Sequence, residues 1–174
     1  MLWRFWAVFL LILVVNVVHP NQAQKVMVMR RIDLIVIHCT GTREDQRFTE
    51  EMLEQCHLER GFSECGYHYY IRRGGNVTEM RPLHKIGAHA RGYNSHSIGI
   101  AYEGGLDSLG NPRNTLTVYQ QNSLQHLISS LLRQFPSSRV VGHRDLSPDL
   151  DGNGEVDPHE WVKMCPCFDV KDVL

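Results

Sequence analysis

Ile32-Asp33-Leu34-Ile35-Val36-Ile37-His38-Cys39-Thr40-Gly41-Thr42 is the stretch on which the fold turns. Residues 32–37 form a β-branched apolar run of strand length, the pattern of a buried central strand. At His38 the run gives way to small and polar residues. A histidine is thereby set where a buried strand reaches the rim of its sheet, where sites tend to gather in α/β folds.

Downstream, Thr49 reads as the cap of a helix running to about Arg60, with Glu50 and Glu51 in its first turn and Gly61 ending it. Tyr67-His68-Tyr69-Tyr70-Ile71-Arg72, the turn Arg73-Gly74-Gly75-Asn76 and Val77-Thr78-Glu79-Met80 predict a hairpin. Ser97-Ile98-Gly99-Ile100-Ala101-Tyr102 predicts another strand. Thr117 with Gln120 three residues on is a capping box. Leu124, Leu127, Ile128, Leu131, Leu132 and Phe135 follow at helical spacing until Pro136 stops them. Arg139-Val140-Val141-Gly142 is a last short strand that delivers His143 at its end. Strands interleaved with helices predict an α/β fold: a single domain with a central mixed β-sheet flanked by helices.

Upstream, Met1-Leu2-Trp3-Arg4 is a short basic start, Phe5 to Val18 is apolar but for Asn16, and His19-Pro20-Asn21-Gln22-Ala23-Gln24 turns polar. That layout is a signal peptide or signal anchor over residues 1–24. The apolar stretch falls short of the ~20 residues that span a bilayer comfortably. The exit lacks a clean A-x-A site, so cleavage near Ala23 and a membrane tether through an uncleaved segment both stay open. Either way the folded part is expected outside the cytoplasm, in the periplasm, in the cell envelope or secreted.

What remains of the 174 residues, roughly 150, suits one core. The formal net charge is -1, and no basic stripe appears, so nucleic acid is not an expected partner. The chain has five cysteines, Cys39, Cys56, Cys65, Cys165 and Cys167. An odd number in an exported protein leaves one thiol over, and a metal is a natural use for it. Cys56 and Cys65 are near enough in sequence to close a small loop, but a disulfide depends on geometry. Cys39 follows His38 on a strand and so points to the opposite face, into the core.

Two histidines at strand ends, His38 and His143, and a cysteine pair, Cys165 and Cys167, suggest a zinc site with three protein ligands and an open position. By spacing alone the signal is weak, because a typical one of the ten histidines is a hydrogen-bonded structural residue. The local sequences carry more. Ile35-Val36-Ile37-His38-Cys39-Thr40, Gly66-Tyr67-His68-Tyr69-Tyr70-Ile71, Gly87-Ala88-His89-Ala90-Arg91-Gly92-Tyr93-Asn94-Ser95-His96-Ser97-Ile98-Gly99-Ile100, Gly142-His143-Arg144-Asp145-Leu146-Ser147-Pro148 and Lys163-Met164-Cys165-Pro166-Cys167-Phe168-Asp169 occur in this order.

The series resembles the type 2 N-acetylmuramoyl-L-alanine amidases, a family that takes in the phage T7 lysozyme and the peptidoglycan recognition proteins. It spans residues 30–170, nearly all of the expected domain at 30–174. The resemblance implies a zinc-dependent amidase that cuts between N-acetylmuramic acid and L-alanine in peptidoglycan, with intact wall and soluble muropeptides both open as substrate; a monomer is expected, the oligomeric state being left open by the sequence. It implies zinc on His38, His143 and Cys165, with Cys165 rather than Cys167 as the thiolate, because the family's thiolate precedes Pro and comes shortly before Phe-Asp. It further implies Tyr67 beside the attacking water, Lys163 at the oxyanion, and His89, Asn94 and Ser97 along the substrate pocket and groove. The alternative that the family offers is a non-catalytic peptidoglycan-binding recognition protein; such proteins typically lack the zinc cysteine, which is present here. A zinc protease is disfavoured because no H-E-x-x-H occurs.

One segment departs from the phage-type pattern. Between the second histidine and Lys163 lies an insert at 149–160 that fits the calcium-loop template at every fixed position. Asp149, Asp151, Asn153, Glu155 and Glu160 supply oxygens, and Gly154 supplies the sharp turn. Calcium is therefore a second expected cation, with a helix beginning at Trp161-Val162 as an optional flank. The bland reading is an acidic surface turn. Because of the insert, Lys163 is located only by counting back from Cys165.

Overall fold

The computed structural model describes residues 30–174; the expected leader at 1–24 lies outside the described residues. In chain order the elements are β1 (Leu34–Cys39), β2 (Thr42–Arg43), α1 (Glu50–Glu59), β3 (Tyr69–Ile71), β4 (Val77–Glu79), β5 (Ser97–Tyr102), β6 (Gly105–Leu106), α2 (Val118–Gln134), β7 (Arg139–Gly142) and α3 (Val170–Val173). Five strands form a mixed sheet in the order β4-β3-β5-β1-β7, and β2 and β6 pair separately. Only the β3–β4 hairpin is antiparallel; β3, β5, β1 and β7 run parallel. The mixed α/β domain read from the sequence is what the chain forms, and β2–β6 is an addition that two-residue strands do not announce.

Capping explains the helix starts. Thr49 Oγ1 accepts the Met52 N–H at the head of α1. Thr117 and Gln120 exchange side-chain and backbone bonds at the head of α2. Each satisfies backbone donors that have no partner within the helix.

The sheet separates two layers. Ile35, Ile37 and Cys39 of β1 and Ile98, Ile100 and Tyr102 of β5 pack with Leu124, Ile128 and Leu131 of α2 and with Phe168, Val170 and Val173. The opposite face carries Tyr70 and Ala101, packed against Leu53 of α1 and Cys65. Alternation along β5 is therefore uneven by design of its sequence: large residues on the α2 face, Ser97, Gly99 and Ala101 on the other. That second face has room for something besides aliphatic packing.

β1 is displaced by two residues from the expected 32–37, beginning at Leu34 rather than Ile32. It does not stop before His38 but continues through Cys39, because His38 pairs with Ala101 and Cys39 with Tyr102 on β5. On its other side the ladder to β7 ends at Ile37↔Gly142. His38 is thus inside the sheet and 1% exposed, with an opening on one flank.

Candidate metal centre

The opening beside His38 is where His143 sits. The parallel register that sets Ile37 against Gly142 puts the next residue of each strand side by side. The His143 N–H donates to the Ile37 carbonyl at 3.0 Å, and the two rings lie 4.5 Å apart between centroids. Cys165 arrives from the C-terminal segment, fastened there by the Arg144 N–H donating to its carbonyl at 2.8 Å. The Tyr102 hydroxyl donates to the Pro166 carbonyl at 2.7 Å, holding the next residue. Cys165 Sγ accepts the Cys39 N–H at 3.2 Å and lies 3.8 Å from His38 Nδ1.

The ligand atoms of His38, His143 and Cys165 all fall within 4.8 Å of one another. Zinc–sulfur and zinc–nitrogen bonds of about 2.3 and 2.05 Å at a tetrahedral angle put N and S roughly 3.6 Å apart. The 3.8 Å separation of Nδ1 and Sγ is close to that. The donor set therefore fits a zinc ion. Cys167 faces the other way: its Sγ is 3.9 Å from Cys39 Sγ, on the α2 side of the sheet. Cys56 is exposed and Cys65 buried, both unbonded, so no disulfide closes that loop.

Electrostatics keep both imidazoles neutral, the form that binds a metal. Burial depresses His38 well below the usual imidazole range, helped by His89, His143 and the Lys163 cation. Burial, then Lys163, pushes His143 down to about 4. Burial raises the Tyr67 phenol far above its ordinary range, and the nearby sulfurs of Cys165, Cys39 and Cys65 add to that. Tyr67 is therefore a hydrogen-bond donor at any physiological pH, its ring 5.0 Å from that of His38.

A cleft of about 420 Å³ opens over the site, lined by His143, Lys163, His89, Asn94, Arg91 and Tyr93 and by apolar Phe62, Leu146 and Val162. Lys163 is exposed on its wall. Asn94 lines the cleft but also shapes it, since its Oδ1 accepts the N–H groups of His89 and Ala90 at 2.9 and 2.8 Å. Ser97, expected beside the groove, is wholly buried instead; its hydroxyl meets His89 Nε2 at 3.3 Å. A side chain on the inward face of a central strand has no route to solvent, and the contact of the Ser97 hydroxyl is to His89.

The insert at 149–160 folds back on itself. Asp149 accepts from the N–H groups of Gly152 and Gly154, Asp151 from Asn153, and Asn153 from Glu155. Glu160 is buried and accepts from Leu150, Asp151 and Asp157. Asp151 and His159, both exposed, and buried Glu160 present ligand atoms within 4.8 Å of one another; Glu155 is not in that group. No helix begins at Trp161, whose backbone is extended and whose indole lies under the Arg144 guanidinium, 3.9 Å from carbon to centroid.

Sequence reasoning did not find the contact between His38 and His89, whose facing nitrogens are 3.1 Å apart. The signal for it was the run of small residues on one face of β5, which only shows its purpose once the ring that fills the space is known.

Comparison with known proteins identifies the family of the fold that carries this site. The sequence pattern of the N-acetylmuramoyl-L-alanine amidase family matches residues 28–160, which stops short of Lys163 and Cys165. The endolysin of Klebsiella phage KP32 is 34% identical over 79% of this chain and 82% of its own length. The endolysin of Escherichia phage T7 is 33% identical over 80% and 83%. Among solved structures, the N-acetylmuramoyl-L-alanine amidase LysC from Clostridium intestinale superposes with a TM-score of 0.64 at 28% identity, covering 83% of each chain. Fold, block order and relatives agree over most of its length, and the chain belongs to the N-acetylmuramoyl-L-alanine amidase family.

Proposed function

We propose that the chain is a zinc-dependent enzyme that hydrolyses the amide between N-acetylmuramic acid and L-alanine in bacterial peptidoglycan. The observation that carries this reading is the approach of Cys165 Sγ to within 3.8 Å of His38 Nδ1, with His143 beside them at the base of an open cleft. His38, His143 and Cys165 would hold the ion, two neutral imidazoles and a thiolate leaving it a net charge of about +1. When bound, the ion supplies Lewis acidity, which makes water nucleophilic near neutral pH and draws electron density from the carbonyl under attack.

The protein supplies the rest. Tyr67, kept protonated by desolvation of its phenol, orients the attacking water and donates to oxygen as negative charge develops. Lys163 brings a cation to the same oxyanion from the cleft wall; a single such donor is worth roughly 3 kcal/mol, or about two orders of magnitude in kcat. The departing L-alanine amine needs a proton from a positioned acid, and Tyr67 and Lys163 are the candidate donors beside it. The stem peptide runs along the cleft past His89 and Asn94.

A non-catalytic peptidoglycan receptor would have no use for this donor set, which favours the enzyme. Such a substrate lies outside the cytoplasm, so export through the segment at 1–24, cleaved or retained as a tether, belongs to the same proposal. Calcium in the 149–160 loop rests on the spacing of its oxygens. Calorimetric titration of calcium into zinc-loaded protein tests it, and the absence of both heat and a change in Tm would remove it. For the reaction itself, purified peptidoglycan is digested and the products are weighed by mass spectrometry. Free stem peptides with a new L-alanine amino terminus, absent with Cys165→Ser, are expected. Intact peptides, or cleavage unaffected by the substitution, would refute the reading.

A further inference from the structure

With Nδ1 of His38 turned to Cys165 and given to the ion the two would share, its other nitrogen, Nε2, carries the ring proton, because a neutral imidazole has only one. That nitrogen lies 3.1 Å from Nδ1 of His89. For the contact to be a hydrogen bond, His89 Nδ1 must offer a lone pair, which puts the His89 proton on Nε2. There it meets Ser97 Oγ at 3.3 Å, an acceptor. The bonding pattern is consistent along the whole row, from the metal ligand through His89 to a buried hydroxyl on β5.

The surroundings of His89 are shaped to hold that ring. Gly99 lies beneath it, and a Cβ there would come within 2.5 Å of two of its ring carbons. A Cβ on Gly87 would come within 2.6 Å of the same ring, at Cδ2. Asn94 Oδ1 fixes its backbone by accepting the His89 N–H at 2.9 Å. Two glycines, an amide and a hydroxyl thus leave the imidazole one position, with Nδ1 aimed at His38.

We propose that His89 is a positioning residue for the metal centre: it accepts the His38 Nε2 proton and so locks His38 in the tautomer and orientation that present Nδ1 to the ion. This rests on the zinc reading of the site and adds a role to a residue that also lines the substrate cleft. Partners of this kind on a ligating histidine typically change metal affinity 10–100-fold.

The test measures zinc affinity of the full chain by competition with a chromophoric chelator for wild type, His89→Ala and His89→Asn. Asparagine sets an amide oxygen one bond from Cγ, where the histidine has Nδ1. His89→Ala is expected to weaken zinc about 10–100-fold, and His89→Asn to stay within about threefold of wild type. Equal affinity in all three, or equal loss in both variants, overturns the proposal while leaving the zinc site in place. Wild type that binds no zinc overturns both. If the alanine variant does not fold, nitrogen-15 NMR of the zinc-loaded wild type decides: protons on Nε2 of both His38 and His89 support the proposal, and His38 metallated through Nε2 or His89 protonated on Nδ1 overturns it.

Discussion

Gly99→Ala adds one methyl group to a central strand, and its consequences can be worked out from distances. The new Cβ would stand 2.5 Å from Cγ and Cδ2 of His89 and 2.8 Å from Nδ1, where ordinary contact begins near 3.4 Å. The ring must therefore retreat by about 1 Å, or the strand must bow by as much. A shift of that size along the His38–His89 contact takes it from 3.1 Å to roughly 4 Å, outside hydrogen-bonding range. Overpacking alone costs about 1–3 kcal/mol of stability. Loss of the bond to His38 weakens zinc about 10–100-fold. The two effects separate in a thermal melt. The metal-free variant loses about 2–4 °C for each kcal/mol of overpacking. In addition, each tenfold loss of affinity removes about 1.4 kcal/mol of the stabilisation that a fixed excess of zinc confers. A folded Gly99→Ala protein whose zinc-induced rise in Tm equals that of wild type would refute the argument.

Other outcomes follow from the same geometry. Cys167→Ser retains zinc and activity while Cys165→Ser loses both, as read by metal content after gel filtration, because only Cys165 Sγ faces the histidines. Glu103→Ala lowers the Tm by about 10 °C, since this 2% exposed carboxylate accepts from the Phe48 and Arg73 N–H groups and from Arg72, and breaking a buried pair costs about 3–5 kcal/mol. An unchanged melt would show the charge to be unimportant. The metal-free protein loses stability as pH falls from about 6.5 toward 4. Burial holds His57 and His68 at about 4, below their usual 6.5, so the folded state binds fewer protons across that window. Each contributes a slope of at most about 1.4 kcal/mol per pH unit. A Tm flat between pH 7 and 4.5 would contradict it.

Much of the fold is legible in the amino-acid order because its signals are local. The β-branched run before His38, the hairpin turn Arg73–Asn76 and the capping box at Thr117 each declare an element through a few neighbouring residues. The identity of the zinc candidates is legible through resemblance, since their flanking blocks are distinctive. Their convergence is not. It depends on β1 and β7 being neighbours in parallel with Ile37 against Gly142, and a pairing between distant segments leaves no mark in either one. The same holds for Ser97, which reads as a groove residue from its place after Asn94 but turns inward because strand alternation puts it on the face of Gly99 and Ala101. In the 149–160 insert the spacing matches a calcium template, yet Glu160 spends both oxygens on backbone N–H groups, a competition that spacing does not reveal.

X-ray absorption at the zinc edge of the loaded protein reads directly whether His38, His143 and Cys165 share one ion. The predicted first shell has one sulfur at about 2.3 Å and two imidazole nitrogens at about 2.0 Å, with one lighter atom completing four. A stoichiometric zinc whose shell contains no sulfur, or two, would contradict it.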